Sequence, residues 1–361
     1  MQPHREDQPH REDRLPARDA APEPGETPSR RRSWRRASQV VVILVSLPVL
    51  VLAVSGIALY LYGLGAPSPG AVTRGRDAVW LGHAWVDGRN GGAQVAALAA
   101  RLRGTGVSDL YVHTGPFQVD GTLPTSLYPR AGWAAGALRQ TLPGVRVHAW
   151  LGQRLDPGLM DLSSARTRDN IVRTAAQVMT AGFDGVHYNF EPLDSGDVGL
   201  LDVLDRTRAV LPRGRLLSLS VHQLEPLPGL STASELVLGR AALWTAGYLR
   251  EVARRLDQVA IMTYDTAQPT QALFSGYVRR QTALALTAVP PSTTLLIGVP
   301  AYHEPTWTHH PSAETMRASI RGVRLGLGGD PRPSFGVAVY VDFTATAADW
   351  DGYRRDWGAP G

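Results

Sequence analysis

The chain has 361 residues, 43% of them hydrophobic, with 37 glycines, 27 prolines and no cysteine. Disulfides, thiol catalysis and cysteine-ligated metals are therefore excluded, while the length allows one large core with appendages. Every basic residue is arginine, the formal charge is only +5, and no basic cluster interleaved with aromatics stands outside the N-terminus, so nucleic acid is not expected as a partner.

Residues 1–37 are polar and proline-rich, with QPHRED at 2–7 repeated at 8–13. Such a segment cannot bury a core and is expected to be a disordered tail. It ends in Arg30, Arg31, Arg32, Arg35 and Arg36, and the residues from 40 to 64 that follow carry no charge. A run of that length at about 1.5 Å per residue crosses a hydrocarbon core of about 30 Å, so 38–64 reads as a transmembrane signal-anchor helix. Positive charge before the span places the N-terminus in the cytoplasm and everything later outside, with Tyr60 and Tyr62 at the far interface. Secretion after cleavage near Ala66 or Ala71 is the alternative. A Pro/Gly/Ser-rich linker over 65–76 leads to the folded part.

From residue 77 to 361, short apolar runs alternate with segments of helical period. Strands are expected at 78–86, 107–113, 145–151, 184–191, 215–222, 258–264, 294–301 and 336–343. Helices at 93–103, 165–181 and 245–256 are marked by apolar stripes, the second formed by Ile171, Ala175, Val178 and Met179 with Gly182 as its C-terminal stop. Eight strands alternating with helices over this length predict an α/β fold, a (β/α)8 barrel. A doubly wound open sheet is the alternative, and it lacks support because no G-x-G-x-x-G turn follows the first strand.

The fourth strand, FDGVHYNFEP at 183–192, has an unusual parity. Val186, Tyr188 and Phe190 face one side; His187, Asn189 and Glu191 face the other. Both faces of a barrel strand are dry except at the C-terminal rim, so three polar side chains converge where barrel enzymes place their chemistry.

FDGVHYNFE resembles the D-x-x-D-x-D-x-E signature of family 18 glycoside hydrolases, the chitinases and N-acetylglucosaminidases. Asp184, His187, Asn189 and Glu191 fall on its four positions, with His187 and Asn189 in place of aspartates. QVAIMTYD at 258–265 resembles the family's sixth-strand M-x-Y-D, bringing in Met262, Tyr264 and Asp265. The third strand lacks the family's S-x-G-G, and the eighth strand, GVAVYVDF, offers Tyr340 where a tryptophan is usual.

The resemblance implies a retaining glycosidase acting on N-acetylhexosamine-containing glycans such as peptidoglycan or chitin-like polymers. Glu191 would be general acid/base, Asn189 would hold the substrate's acetamido group, and Tyr264 would donate to its oxygen. His187, Met262 and Asp265 would line the sugar pocket, joined from other strand ends by Gln153, His222, Tyr302, Glu304 and Tyr340. No cofactor is implied. The cluster His303, Glu304, His309, His310 lacks an H-E-x-x-H frame, so no metal is expected. Two alternatives stand beside this expectation: a glycan-binding protein that has lost hydrolysis, and a retaining glycosidase using a second carboxylate.

Overall fold

A computed structural model describes residues 46, 50, 53–156, 158–238 and 243–358. Eight parallel strands close on themselves in sequence order. They are β1 (Asp77–Leu81), β2 (Val107–Pro116), β3 (Arg146–Arg154) and β4 (Gly185–Glu191), then β5 (Leu216–Val221), β6 (Gln258–Met262), β7 (Thr294–Pro300) and β8 (Phe335–Tyr340). Closure runs through β1 and β8, where Ala78 pairs with Ala338 and Val79 with Val339, which excludes the open sheet. Several boundaries differ from expectation, β1 and β3 among them. β1 stops at Leu81 because 83–85 form a 3-10 turn, and β3 runs on to Arg154 because it pairs with β4 to its last residue.

The three expected helices are present as Gly92–Leu102, Ala165–Met179 and Ala246–Ala253. Ser164 and Thr245 cap the latter two through side-chain oxygens that accept N–H groups of Thr167 and Tyr248. Gly182, at φ +86°, turns the chain out of the second helix and into β4. Its buried stripe includes Ile171, Ala175 and Val178, as the periodicity predicts.

Two apolar clusters follow from strand parity. The larger fills the space between strands and helices and contains Val186, Tyr188 and Phe190 of β4. The smaller is the barrel interior, with Ala78, Trp80, Tyr111, Ala260, Leu296 and Ala338.

The chain divides into units 1–55 and 56–361. Of the first, only positions 46, 50 and 53–55 are described, all helical, so the expected tail and most of the expected anchor lie outside the described residues. Among the described residues no helix is long and apolar enough to cross a membrane. Within the second unit, the stretch expected as a linker lies against the barrel. Ala71 is fully buried, Arg324 Nε donates to its carbonyl at 2.9 Å, and Thr73 N–H donates to Trp357 O at 2.9 Å.

Asp77, fully buried at the start of β1, ties this region together. Its carboxylate accepts from Val337 N–H at 2.7 Å, Tyr353 hydroxyl at 2.5 Å, Trp357 Nε1 at 3.0 Å and Thr73 hydroxyl at 2.5 Å. It therefore joins β1, β8 and the C-terminal helix Ala347–Asp356. Asp77→Ala strands several buried donors at a cost of about 1–3 kcal/mol each. The expected outcome is a stability loss of at least about 2 kcal/mol in urea unfolding, larger than for Asp87→Ala on the exposed rim.

Candidate active site

The mouth is built by β4 outrunning β5. Pairing of β4 with β3 continues to the end, setting Gly152 opposite Asn189 and Arg154 opposite Glu191. Pairing with β5 stops at Tyr188 and Leu219, so Asn189 to Glu191 have no strand partner on that side. A cleft of about 960 Å³ opens there, lined by Glu191, Pro192, His222, Arg154, Asp156 and Asp161 among others. Gly152 is required at its position, because a Cβ there would meet the Asn189 carbonyl and side chain.

Parity places the odd residues of β4 inward. His187 lies deepest and is fully buried, its ring stacked 3.8 Å from Tyr111. Trp80 Nε1–H donates to His187 Nε2 at 3.1 Å. Indole nitrogen can only donate, so Nε2 carries the lone pair and Nδ1–H donates to Ser218 Oγ at 2.8 Å. Burial, reinforced by nearby His148, pushes the His187 pKa well below its ordinary value, so the imidazole is neutral. Below it, Asp109 binds Arg146 at 2.7–2.8 Å, His148 Nε2 at 2.7 Å and Gln258 Nε2 at 3.0 Å, closing the barrel floor with a paired charge.

Asn189 and Glu191 sit above, at the rim. Burial pushes the Glu191 carboxyl above its ordinary pKa; a hydrogen bond from the Asn189 amide opposes that shift, nearby Asp265 adds to it, and Arg154 opposes it. Asn189 thus donates to Glu191 while its own Oδ1 is buried with no partner in the protein. A buried acceptor without a donor costs about 1–3 kcal/mol, and an N–H group arriving with a ligand would satisfy it.

Tyr264, Tyr302 and Tyr340 form an aromatic cluster. Tyr264 stacks on Tyr340 with centroids 5.3 Å apart, and Tyr302 meets both rings edge-on. Burial raises all three phenol pKa values, with the charge of Asp265 adding in each case, so they remain hydroxyl donors. Tyr302 donates to Asp265 Oδ1 at 2.6 Å. Met262 is buried at the end of β6.

The remaining expected contacts lie as follows. Gln153 spends its side chain on loop geometry, donating to Phe117 O and accepting from Arg154 N–H. His222 Nε2 accepts from Leu193 N–H at 3.2 Å at the cleft wall. Glu304 is exposed on the loop after β7. Asp184 lies at the opposite end of β4, clamped by Arg139 at 3.1 Å and Arg215 at 2.8 Å and accepting Val147 N–H at 2.9 Å. Trp85 and Trp244 are buried, whereas Trp307 is 96% exposed.

Among the described residues, one trio could in principle bracket a cation: Asp265, His309 and Glu314 offer ligand atoms within 4.8 Å of one another. Glu314 already accepts three backbone N–H groups and a hydroxyl, so its lone pairs are spoken for. His303 instead contacts Asp349 at 3.1 Å, and the histidine-rich stretch does not converge. Sequence reasoning missed Trp80, Tyr111 and Glu314. The first two were legible as inward residues of their strands; Glu314, 49 residues from Asp265, carried no local signal.

No family model matches the sequence, and no curated protein matches it. Solved structures do. The chain is similar to a chitinase from Bacteroides thetaiotaomicron at 14% identity, covering 78% of this chain and 94% of that one with a TM-score of 0.57. It is similar to the spore cortex-lytic enzyme SleL of Bacillus cereus at 15% identity, with 78% and 74% covered and a TM-score of 0.54. A third is a family 18 chitinase from Cycas revoluta in complex with (GlcNAc)4, at 12% identity, 78% and 99% covered and a TM-score of 0.53. These likenesses show that the chain shares the barrel fold of those proteins.

The interior histidines make an acid-sensitivity prediction. Burial depresses His187, and burial plus the charge of His83 pushes His113 down to about 4. Unfolded histidine binds its proton near pH 6.5, so stability is complete above that pH and declines as pH falls from about 6.5 towards about 4. The expected result is a lower unfolding midpoint at pH 5 than at pH 7.5, with the difference reduced in His113→Gln.

Proposed function

We propose that this protein is a retaining glycoside hydrolase that cleaves N-acetylhexosamine-containing glycans with assistance from the substrate's own 2-acetamido group. The observation that carries this reading is the Asn189–Glu191 pair: a carboxyl whose pKa burial raises, beside a buried amide oxygen that lacks a donor.

In the first step Glu191 gives its proton to the glycosidic oxygen. The acetamido carbonyl oxygen attacks the anomeric carbon as the bond to the leaving sugar breaks, forming an oxazolinium ion. Asn189 Oδ1 accepts the acetamido N–H and so orients the nucleophile. The Tyr264 hydroxyl donates to the acetamido oxygen. Glu191, now ionised, takes a proton from the water that opens the ring, and the anomeric configuration is retained. Asparagine cannot ionise, so it supports the cationic intermediate less than aspartate would and relies more on geometry. The stacked tyrosines, with Met262, form the sugar-facing wall. The cleft beyond Glu191 suits the continuing glycan chain, with His222 at its side. Peptidoglycan and chitin-like polymers are the substrate classes this reading favours.

The same reading places the barrel outside the cell on a single-pass anchor. Its support is the arginine cluster directly before an uncharged run from 40 to 64.

Glu191→Gln is expected to reduce release of reducing ends from N-acetylglucosamine oligomers or peptidoglycan by about 10²- to 10⁴-fold, with the thermal unfolding midpoint unchanged. Full turnover by this variant rejects the assignment. A thiazoline mimic of the oxazoline is expected to inhibit competitively; hydrolysis that is insensitive to it at millimolar concentration would point to a second carboxylate as nucleophile.

A further inference from the structure

Glu314 precedes the helix Met316–Leu327, and its side chain is fully buried below the rim. Its hydrogen bonds run to the loop that carries Asp265. Oε2 accepts the N–H of Asp265 at 2.8 Å and faces His309 Nδ1 at 3.3 Å. Oε1 accepts the N–H of Thr266 at 3.0 Å, its hydroxyl at 2.8 Å and the N–H of Gln268 at 3.3 Å. Backbone amides converging on one carboxylate form an anion-binding nest, here occupied by a residue of the chain itself.

The loop needs such an anchor. Asp265 and Ala267 have φ of +58° and +55°, and they are the two non-glycine residues with positive φ among the described residues. This conformation costs about 1–2 kcal/mol per residue and persists only where the surroundings hold it. The hold is reinforced from both sides. Ala267 N–H donates to Thr308 O at 2.7 Å, and the buried His309 ring has Nε2 at 3.2 Å from Tyr302 O.

The backbone orientation at Asp265 decides where its carboxylate stands, and that carboxylate faces the mouth. It accepts from Tyr302 and acts electrostatically on Glu191. We propose that Glu314 is a positioning residue: by gathering the amides of 265, 266 and 268 it sets the place of the Asp265 carboxylate and of the Tyr302 hydroxyl that donates to it. The proposal deepens the hydrolase reading and rests on it for the identity of Glu191 as acid. Other charges and titrating groups around Glu191 come from different elements: Arg154 from β3, Tyr264 after β6 and Tyr340 from β8, with His222, Asp194 and Asp197 in the cleft. Around Glu314 they are His309, Asp265, Tyr302 and Tyr277.

The test uses the full chain in detergent. Glu314→Gln keeps the volume but turns an acceptor into an N–H group facing N–H donors. Amide protons of 265–268 are expected to lose protection from hydrogen exchange. With an N-acetylglucosamine oligomer, kcat is expected to fall by about 10²-fold with KM little changed. The basic limb of kcat/KM is expected to move to lower pH, because Asp265 no longer raises Glu191. Asp265→Asn should move that limb in the same direction, and adding Glu314→Gln to it should move it no further. Intact exchange protection in Glu314→Gln overturns the proposal, as does an unmoved limb when Asp265→Asn moves it. Should Glu314→Gln fail to fold, Thr266→Val removes one donor alone, and an unaltered limb with unaltered exchange there is also a refutation. If the wild-type chain releases no reducing ends, the hydrolase reading fails separately. A 13C NMR titration of the Glu191 carboxyl in both proteins then still tests the positioning claim: a pKa lowered by Glu314→Gln upholds it, and equal values reject it.

Discussion

Closure of β1 onto β8 is the constraint on which the site depends. In a doubly wound open sheet helices would cover the face that carries His187, Asn189 and Glu191, and no ring of strands would surround it. Once Ala78 and Val79 pair with Ala338 and Val339, that face becomes an interior. Water is excluded, every polar group must find a partner, and charge becomes costly. Asp77 supports the seam from outside by joining β1, β8 and the last helix.

The interior meets this demand in layers. At the floor, Asp109 is ionised and paired with Arg146, and the barrel thus holds one charge where an exposed arginine can compensate it. In the middle, His187 is neutral and satisfied by Ser218, Ser220 and Trp80, so it adds polarity without charge. At the rim Asn189 Oδ1 has no partner, and neither do His148 Nδ1 and Trp150 Nε1 deeper in the barrel.

Glu191 is balanced between opposing effects. Burial and Asp265 favour its neutral form; Asn189 and Arg154 favour the ionised one. Of these effects burial is the largest, and the carboxyl's pKa lies above its ordinary value. His187 and Asn189, the inward residues of β4 before Glu191, carry no charge, and Asp265 is a carboxylate that acts on Glu191 electrostatically.

Much of this was legible in the chain. The eight-fold rhythm specified the barrel because parallel strands buried on both faces must be apolar runs separated by helices. The parity of FDGVHYNFE specified which residues of β4 face inward, because side chains alternate along any strand. Spacing along the chain could not reveal which strand ends lie close in space. Gln153 looks like a rim residue but is held by Phe117 O. Glu314, distant in sequence, supports Asp265. The sequence by itself therefore determined the barrel and the polar face of its fourth strand, since both follow from local periodicity. Only the tertiary structure decided which groups share charge with Glu191, because electrostatic coupling depends on distance through a dry interior and on which hydrogen bonds are already made.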